Sequence, residues 1–201
     1  MSVTFIGNRP FHWGSRTYVM GIVNLTTDSF SGDGLRGNIE AAVNQALEFQ
    51  EFGADIIDIG GESTRPPGVT YGQGAELVSA DEELSRVIPV IERLQGSLDI
   101  PISIDTYKAN VALKAISAGA VLINDVWGLK RDSLMAAAAA KANVPLVITH
   151  NQTGTAYGKF LPEMLASLRK SVAAARVAGV EPKNVIVDPG IGFGKTVEQN
   201  L

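Results

Sequence analysis

The chain has 201 residues, of which 45% are hydrophobic, and its formal net charge is −4. It contains no cysteine, which excludes disulfides, thiolate nucleophiles and Cys-ligated zinc, and its two histidines argue against a His-rich metal site. No run of Lys and Arg occurs, so nucleic acid is not an expected partner. No apolar stretch approaches about 18 residues, and the first residues lack a secretory pattern. We therefore predict a cytoplasmic protein without membrane association.

Short apolar runs alternate with amphipathic segments along the whole chain. Six such runs predict strands, and their continuous hydrophobicity is typical of strands buried on both faces of a parallel sheet. The runs are residues 18–23, 55–59, 102–104, 121–123, 146–149 and 185–187.

The segments between these runs have helical spacing. Asn38, Ser79, Thr106 and Asp132 are predicted N-caps of four helices. A further helix is predicted over residues 162–177, before a Gly and a Pro that end it. We find no interdomain linker, and we therefore predict a single α/β domain over residues 1–201.

Polar residues stand at the C-terminal end of nearly every predicted strand. They are Asn24, Asp58, Asp105, Asn124 with Asp125, His150 and Asp188. A doubly wound open sheet is the alternative, but it would concentrate such residues at one switch point. Their distribution favours an α/β fold of the TIM (β/α)8 barrel type, whose site draws on many strands. About six of the eight βα units are present in this chain. Thr196 and Gln199 have capping-box spacing one turn before the last residue, so we expect a piece of a longer barrel.

Two glycine-containing loops follow the first two strands. Residues 24–34 combine small polar side chains with Asp28 and Asp33, a composition that suits either a loop closing over a ligand or an ordinary βα loop. In residues 60–68, Ser63, Thr64 and Arg65 offer donors for an anion such as phosphate. Asp58, before this second loop, is interpreted as structural.

Asp105, Asn124 and Asp188 each follow an apolar strand. Together at a barrel mouth, they would offer acceptors and an amide to a heterocycle with several N–H groups, such as an aminopyrimidinone ring. Each of them alone is more often a helix cap or turn residue. Their shared placement favours the binding site.

The last glycine-rich segment covers residues 188–196. Its Gly-Lys-Thr resembles the end of a nucleotide-binding P-loop, but Pro189 stands where that motif requires glycine, which excludes it. Phe193 is predicted to form an aromatic wall, and Lys195 is interpreted as a solvated charge. For His150, a place in the ligand pocket and a satisfied buried histidine are equally compatible with the sequence.

These blocks, in this order, resemble the dihydropteroate synthase family over residues 18–201. The most specific matches are residues 53–66 and 188–196, and residues 103–111 and 123–128 fit two further strand ends. The resemblance implies a TIM barrel that condenses 6-hydroxymethyl-7,8-dihydropterin pyrophosphate with p-aminobenzoate in folate biosynthesis. It also implies a sulfonamide target with these two small-molecule substrates, and a homodimer at full length.

The resemblance also implies roles for individual residues, with Mg²⁺ as the cofactor. By this resemblance, the catalytic residues are Asp105, Asp28 and Arg65, and the pterin is bound by Asp105, Asn124 and Asp188. The p-aminobenzoate pocket is formed by Thr64, Arg65, Pro66 and Phe193. Asp28, Ser29 and Phe30 belong to a mobile loop, and Asn24 binds the metal.

The chain departs from the family pattern at several places. Thr27 replaces a usual Pro, the order around Asp33 differs, His150 and Asn151 stand in a more polar segment, and residues 69–78 extend the second loop. A Lys and an Arg/His pair that the family carries on later strands are absent. Two alternatives stay open: a barrel that transfers a methyl group from methyltetrahydrofolate, and a non-catalytic pterin-binding homologue.

Overall fold

The computed structural model describes residues 2–25, 38–63 and 77–201. The strands are β1 (Val3–Ile6), β2 (Arg9–His12), β3 (Met20–Asn24), β4 (Ile56–Gly60), β5 (Ile102–Asp105), β6 (Leu122–Asp125), β7 (Leu146–Thr149) and β8 (Val185–Asp188). The helices are α1 (Ile39–Glu51), α2 (Ala80–Leu94), α3 (Ala109–Ala118), α4 (Met135–Ala142), α5 (Phe160–Val177) and α6 (Val197–Asn200), with a 3₁₀ turn at Pro182–Asn184.

The six strands β3 to β8 form one parallel sheet in sequential order. Each of its consecutive strand pairs is separated by a helix, which is the βα alternation of a (β/α) barrel. Side chains from all six strands line the same cavity, so the sheet curves around it. The predicted fold class is thereby confirmed, and β3 and β8 are the two edges of the sheet in the described part of the chain.

All six predicted strands are present, and most extend one residue further than predicted. The added residues include Asn24, Asp105 and Asp188, which are the last residues of β3, β5 and β8. These polar residues therefore belong to the hydrogen-bonded sheet. Their backbone positions are fixed by pairing rather than by a loop.

The helix caps agree with the sequence in three places and differ in two. Asn38 and Ser79 accept hydrogen bonds from Ala41 N and Glu82 N, and Thr196 forms the predicted capping box. Thr106, however, does not cap α3: the helix begins at Ala109, and Thr106 Oγ1 accepts from Lys108 N instead.

Asp132, predicted to cap α4, is not its N-cap residue, which is Leu134. Its carboxylate serves the start of α3 instead. It accepts from Ala109 N at 2.8 Å, the first residue of α3, and from Leu134 N at 2.9 Å, just before α4. A single side chain thus satisfies exposed donors at the starts of two neighbouring helices, where negative charge is favourable.

The two faces of the sheet bury two separate apolar clusters. Outward residues such as Ile57, Ile104 and Ile123 pack with the helices in the main core. The inward residues Ile56 and Leu122 belong to a smaller cluster at the N-terminal ends of the strands. This alternation follows from the two-residue period of a strand.

An antiparallel hairpin, β1–β2, covers that N-terminal end of the sheet, and the sequence analysis did not predict it. Its Ile6 and Phe11 are 0% and 3% exposed and join the cluster of inward residues. Thr4 Oγ1 donates to Lys183 O at 2.7 Å and accepts from Trp13 Nε1 at 2.8 Å, which ties the hairpin to the segment before β8. The polar residues that end the strands therefore lie at the opposite, C-terminal end of the sheet, which the hairpin does not cover.

Among the helices in the described ranges, none combines the length and apolarity needed to cross a bilayer.

The hairpin offers a stability test. We predict that Phe11→Ala lowers the free energy of unfolding by about 3 kcal/mol, because it empties a buried aromatic site under the sheet. The measurement is urea unfolding followed by circular dichroism. Phe5→Ala in the neighbouring strand is the matched control: Phe5 is 56% exposed, so its loss is expected to change stability by less than about 0.5 kcal/mol. Equal effects of the two substitutions would contradict this role of the hairpin.

Candidate active site

A cavity of about 470 Å³ lies inside the curved sheet. Its N-terminal part is apolar and aromatic, with Trp13, Tyr18, Met20, Leu122 and Ile186 on its walls. Its C-terminal part is polar and is lined by Asn24, Asp58, Glu62, Ser63, Asp105, Asn124 and Asp188, with Phe193 beside them. An apolar pocket with a few convergent polar groups is the usual form of a small-molecule site.

Four of the predicted site residues come together at this mouth because their strands end there. Asn24 pairs across the sheet with Gly60, Gly60 with Asp105, and Asp105 with Asn124. Asp188 ends β8 beside Thr149. The parallel register thus places the side chains of these four residues together at the C-terminal edge of the sheet, which we call the rim.

Asp58, which the sequence analysis interpreted as structural, lies in the cavity wall one layer below this rim and is 2% exposed. Its Oδ2 accepts from Asn124 Nδ2 at 2.8 Å. That bond fixes which way the Asn124 amide faces, because the nitrogen is engaged on the protein side. The Asn124 oxygen is then the atom available to accept from a ligand.

The cavity holds carboxylate oxygens without a donor. Asp58 Oδ1 and Asp105 Oδ1 are buried and have no hydrogen-bond partner among the described residues. Burial raises the pKa of Asp105 well above its usual value, and the charge of Asp58 raises it further. Burial also raises the pKa of Asp58. A ligand that brings N–H donors would satisfy these acceptors and stabilise their ionised form.

Asp188 is held from two sides. Its Oδ2 accepts from Thr149 Oγ1 at 3.2 Å, and its Oδ1 accepts from Gly190 N at 2.8 Å. Gly190 is required there, because its φ is +72° and a Cβ would lie 2.0 Å from His150 O. The close approach of the loops after β7 and β8 therefore depends on this glycine.

The interpretation of Lys195 as a solvated charge is wrong. The residue is only 8% exposed, and its Nζ donates to Gly190 O at 2.7 Å and Phe193 O at 2.9 Å. It also lies 3.1 Å from His150 Nδ1. His150 is 2% exposed and is not among the residues lining the cavity, so it is a satisfied buried histidine.

A buried ion cluster that the sequence analysis missed lies next to the mouth. Lys108 Nζ contacts the carboxylates of Glu62 and Glu83, and Tyr107 donates to Glu62 Oε1 at 3.1 Å. Glu83 is 1% exposed although it belongs to a helix whose first turn is acidic. Burial raises the pKa of Glu83. The only sequence signal was Glu83 on the apolar face of α2, four residues before Val87.

Several predicted site residues lie outside the described residues. They are Asp28, Ser29, Phe30 and Asp33 of the first loop, and Thr64, Arg65 and Pro66 of the second. The roles predicted for them stay predictions.

The rim also contains the residue predicted to bind metal. A Cβ at position 60 would lie 3.5 Å from Asn24 Oδ1 and 3.6 Å from Asp105 Oδ2, so both oxygens border the space left by Gly60. No group of three or more His, Asp or Glu side chains suited to a metal occurs within residues 2–25, 38–63 and 77–201. Mg²⁺ commonly uses only one or two protein oxygens together with water and substrate phosphates, so this donor set fits it.

A curved parallel α/β sheet with a polar cavity at the C-terminal ends of its strands defines a barrel enzyme that acts on a small molecule. The comparisons with known proteins give the family. The sequence profile of the family described as "Pterin binding enzyme" matches residues 20–201. The chain belongs to this family and, within it, to the dihydropteroate synthases, which are transferases.

The relatives support this assignment over almost the whole chain. The dihydropteroate synthase of Clostridium beijerinckii is 53% identical over 196 residues, covering 98% of this chain and 70% of that protein. The Bacillus subtilis dihydropteroate synthase is 55% identical over 186 residues, covering 92% and 63%. The Xanthomonas albilineans dihydropteroate synthase, solved with 4-aminobenzoic acid, superposes with a TM-score of 0.87 at 42% identity, covering 100% of this chain and 71% of that one. The chain thus spans about two thirds of its relatives' length.

The buried carboxylates predict an unusual pH dependence of stability. Because the pKa of Asp105 is higher in the folded than in the unfolded protein, its contribution favours folding at low pH and is lost as pH rises above its usual value of 3.8. We predict that Asp105→Asn raises the melting temperature at pH 8 and that the difference shrinks as pH approaches 4. Asp99→Asn, at an exposed position, is the control and is expected to be neutral. A lower melting temperature for Asp105→Asn at pH 8 would contradict the interpretation.

Proposed function

We propose that the cavity binds the pterin pyrophosphate and p-aminobenzoate and joins them, with release of pyrophosphate. The observation that carries the proposal is the rim of Asp105, Asn124 and Asp188 around one cavity, in a chain that belongs to the dihydropteroate synthases. The solved Xanthomonas relative with 4-aminobenzoic acid supports the second substrate.

The pterin ring fits the polar part of the cavity by its hydrogen-bonding pattern. Its exocyclic amine and ring N–H groups are donors, and the buried oxygens of Asp105 and Asp58 are acceptors without partners in the described structure. Asn124, oriented by Asp58, adds an amide oxygen. Donors on a ligand paired with preformed acceptors give strong discrimination, because a ligand without them leaves buried groups unsatisfied.

The pyrophosphate needs positive charge that the described lining does not provide. Asp58, Glu62, Asp105 and Asp188 are all acidic, and no Lys or Arg is among the described residues that line the cavity. Two sources fit: Arg65 of the second loop, and Mg²⁺ held by Asn24 near Asp105. Bound there, Mg²⁺ would offset the charge that develops on the departing phosphate oxygens.

The reaction breaks the bond between the pterin methylene carbon and the pyrophosphate oxygen. The amine nitrogen of p-aminobenzoate forms a bond to the same carbon and then loses a proton. Because the arylamine is the nucleophile, the protein needs to orient two substrates and stabilise charge rather than supply a covalent catalyst. Asp105 and Asp188 hold the pterin and favour the positive charge that develops on it. Phe193 borders the place where the arylamine would lie.

The experiment measures pyrophosphate release from pterin pyrophosphate plus p-aminobenzoate, with and without Mg²⁺. We expect Mg²⁺-dependent release that requires both substrates, and a loss of about 10²-fold or more for Asp105→Asn, because one preorganised charge is removed. The Clostridium beijerinckii relative is the positive control for the assay.

The same assay separates the alternatives. Binding of pterin without release of pyrophosphate would favour a non-catalytic pterin-binding protein. Absence of both binding and release would overturn the proposal.

A second variant tests the metal site. We predict that Asn24→Leu raises the Mg²⁺ concentration for half-maximal rate by about ten-fold or more, because it replaces the proposed ligand oxygen with a methyl group of similar size. Asn44→Leu, at an exposed position of α1, is the matched control. The measurement is the rate of pyrophosphate release as Mg²⁺ is titrated. An unchanged Mg²⁺ dependence in Asn24→Leu would remove Asn24 from the site.

A further inference from the structure

We propose that Lys195 is a positioning residue that fixes Phe193 as a wall of the cavity and so sets the affinity for the arylamine. The inference rests on the proposed function in one respect only, which is that the arylamine lies against Phe193. The attachment of the Phe193 loop by Lys195, which we call the tether, follows from the contacts of the buried ammonium.

The ammonium of Lys195 has a complete set of neutral acceptors. Gly190 O and Phe193 O lie 2.7 and 2.9 Å from Nζ, and His150 provides Nδ1 at 3.1 Å and its carbonyl oxygen at 3.3 Å. Three N–H donors therefore reach both ends of residues 190–193 and the segment after β7. Because His150 Nδ1 must accept, the proton of the neutral ring lies on Nε2.

The arrangement is costly if stability is its only purpose. Lys195 is 8% exposed, and no carboxylate forms an ion pair with it in the ranges that the structure describes. A buried charge on neutral acceptors carries a large desolvation cost, and an apolar residue of similar size would avoid that cost. Burial lowers the pKa of Lys195, and the charge of Asp188 offsets only part of this shift. Burial together with the Lys195 charge lowers the pKa of His150 to about 4, which keeps the ring neutral.

The loop that carries Phe193 has little stiffness of its own. Gly190, Gly192 and Gly194 all have positive φ, at 72°, 85° and 55°. The backbone bond from Phe193 N to Gly190 O, 3.1 Å long, closes the turn. Glycines in this region are conformationally free in the unfolded chain, so an external tether is needed to select one loop shape.

Lys195 supplies that tether to Phe193 more than to Asp188. The Asp188 carboxylate is held separately by Thr149 Oγ1 and Gly190 N, and its backbone by the pairing of β7 with β8. Phe193 is fixed by its own carbonyl, which Lys195 binds directly. Loss of the ammonium should therefore loosen the aromatic wall and leave the pterin-facing carboxylate largely in place.

The test compares Lys195→Met with the wild-type chain and with Lys141→Met, an exposed lysine at the end of α4. Methionine keeps most of the side-chain volume and removes the charge. Two readouts are used: amide hydrogen exchange of residues 190–195, and calorimetric binding of 4-aminobenzoic acid and of 6-hydroxymethylpterin. We expect Lys195→Met to speed exchange at Phe193 about ten-fold or more while the amides of α3 are unchanged.

In binding, we expect Lys195→Met to weaken 4-aminobenzoic acid by about ten-fold and the pterin by less than about three-fold. In turnover, the corresponding result is a raised KM for the arylamine with a smaller change in kcat. Equal weakening of both ligands would overturn the inference, because it would show a general loss of structure. Unchanged exchange at Phe193 would overturn it as well. If the wild-type chain binds neither ligand, the proposed function fails, and the exchange result alone decides whether the tether exists.

Discussion

The parallel register of the sheet is the constraint on which the site depends. Asn24, Gly60, Asp105 and Asn124 are successive partners across four strands, although 100 positions separate the first from the last. Backbone hydrogen bonds fix these positions, and the helices packed outside hold the strands in order. The polar rim therefore has the rigidity of the sheet itself, which is what a preorganised binding site requires.

That rim is electrostatically unfavourable without a ligand. Asp58 is buried and Asp105 is half-buried beside it, both have a raised pKa, and each has a buried oxygen that no described residue satisfies. Such a grouping lowers stability at neutral pH, and the apolar contacts of the core and of the β1–β2 hairpin offset it. The hairpin also covers the opposite end of the sheet, so the polar mouth is the end at which a ligand can meet these acceptors.

Lysines are used in two different ways around this mouth. Lys108 lies between two carboxylates and joins the end of β4 to the start of α2 through Glu62 and Glu83. Lys195 has only neutral acceptors and joins the loops after β7 and β8. Neither lines the cavity. Lys108 binds the side chain of Glu62, which does, and Lys195 binds backbone oxygens of the loop that carries Phe193. The rim thus combines residues fixed by strand pairing with neighbouring segments fixed by lysine side chains.

The sequence by itself determined the six strands and the family, because continuous apolar runs and long glycine-rich motifs are local signals. It also indicated Asp105, Asn124 and Asp188 as a set, since each directly follows an apolar run. Only the tertiary structure decided the partners of Asp58, Lys195 and Asp132. A carboxylate or an ammonium looks the same in sequence whether it is solvated or buried, and its role depends on neighbours that folding brings from more than 20 positions away. The hairpin was not predicted because it has few apolar residues. Their burial depends on contact with the N-terminal end of the sheet, which the sequence does not reveal.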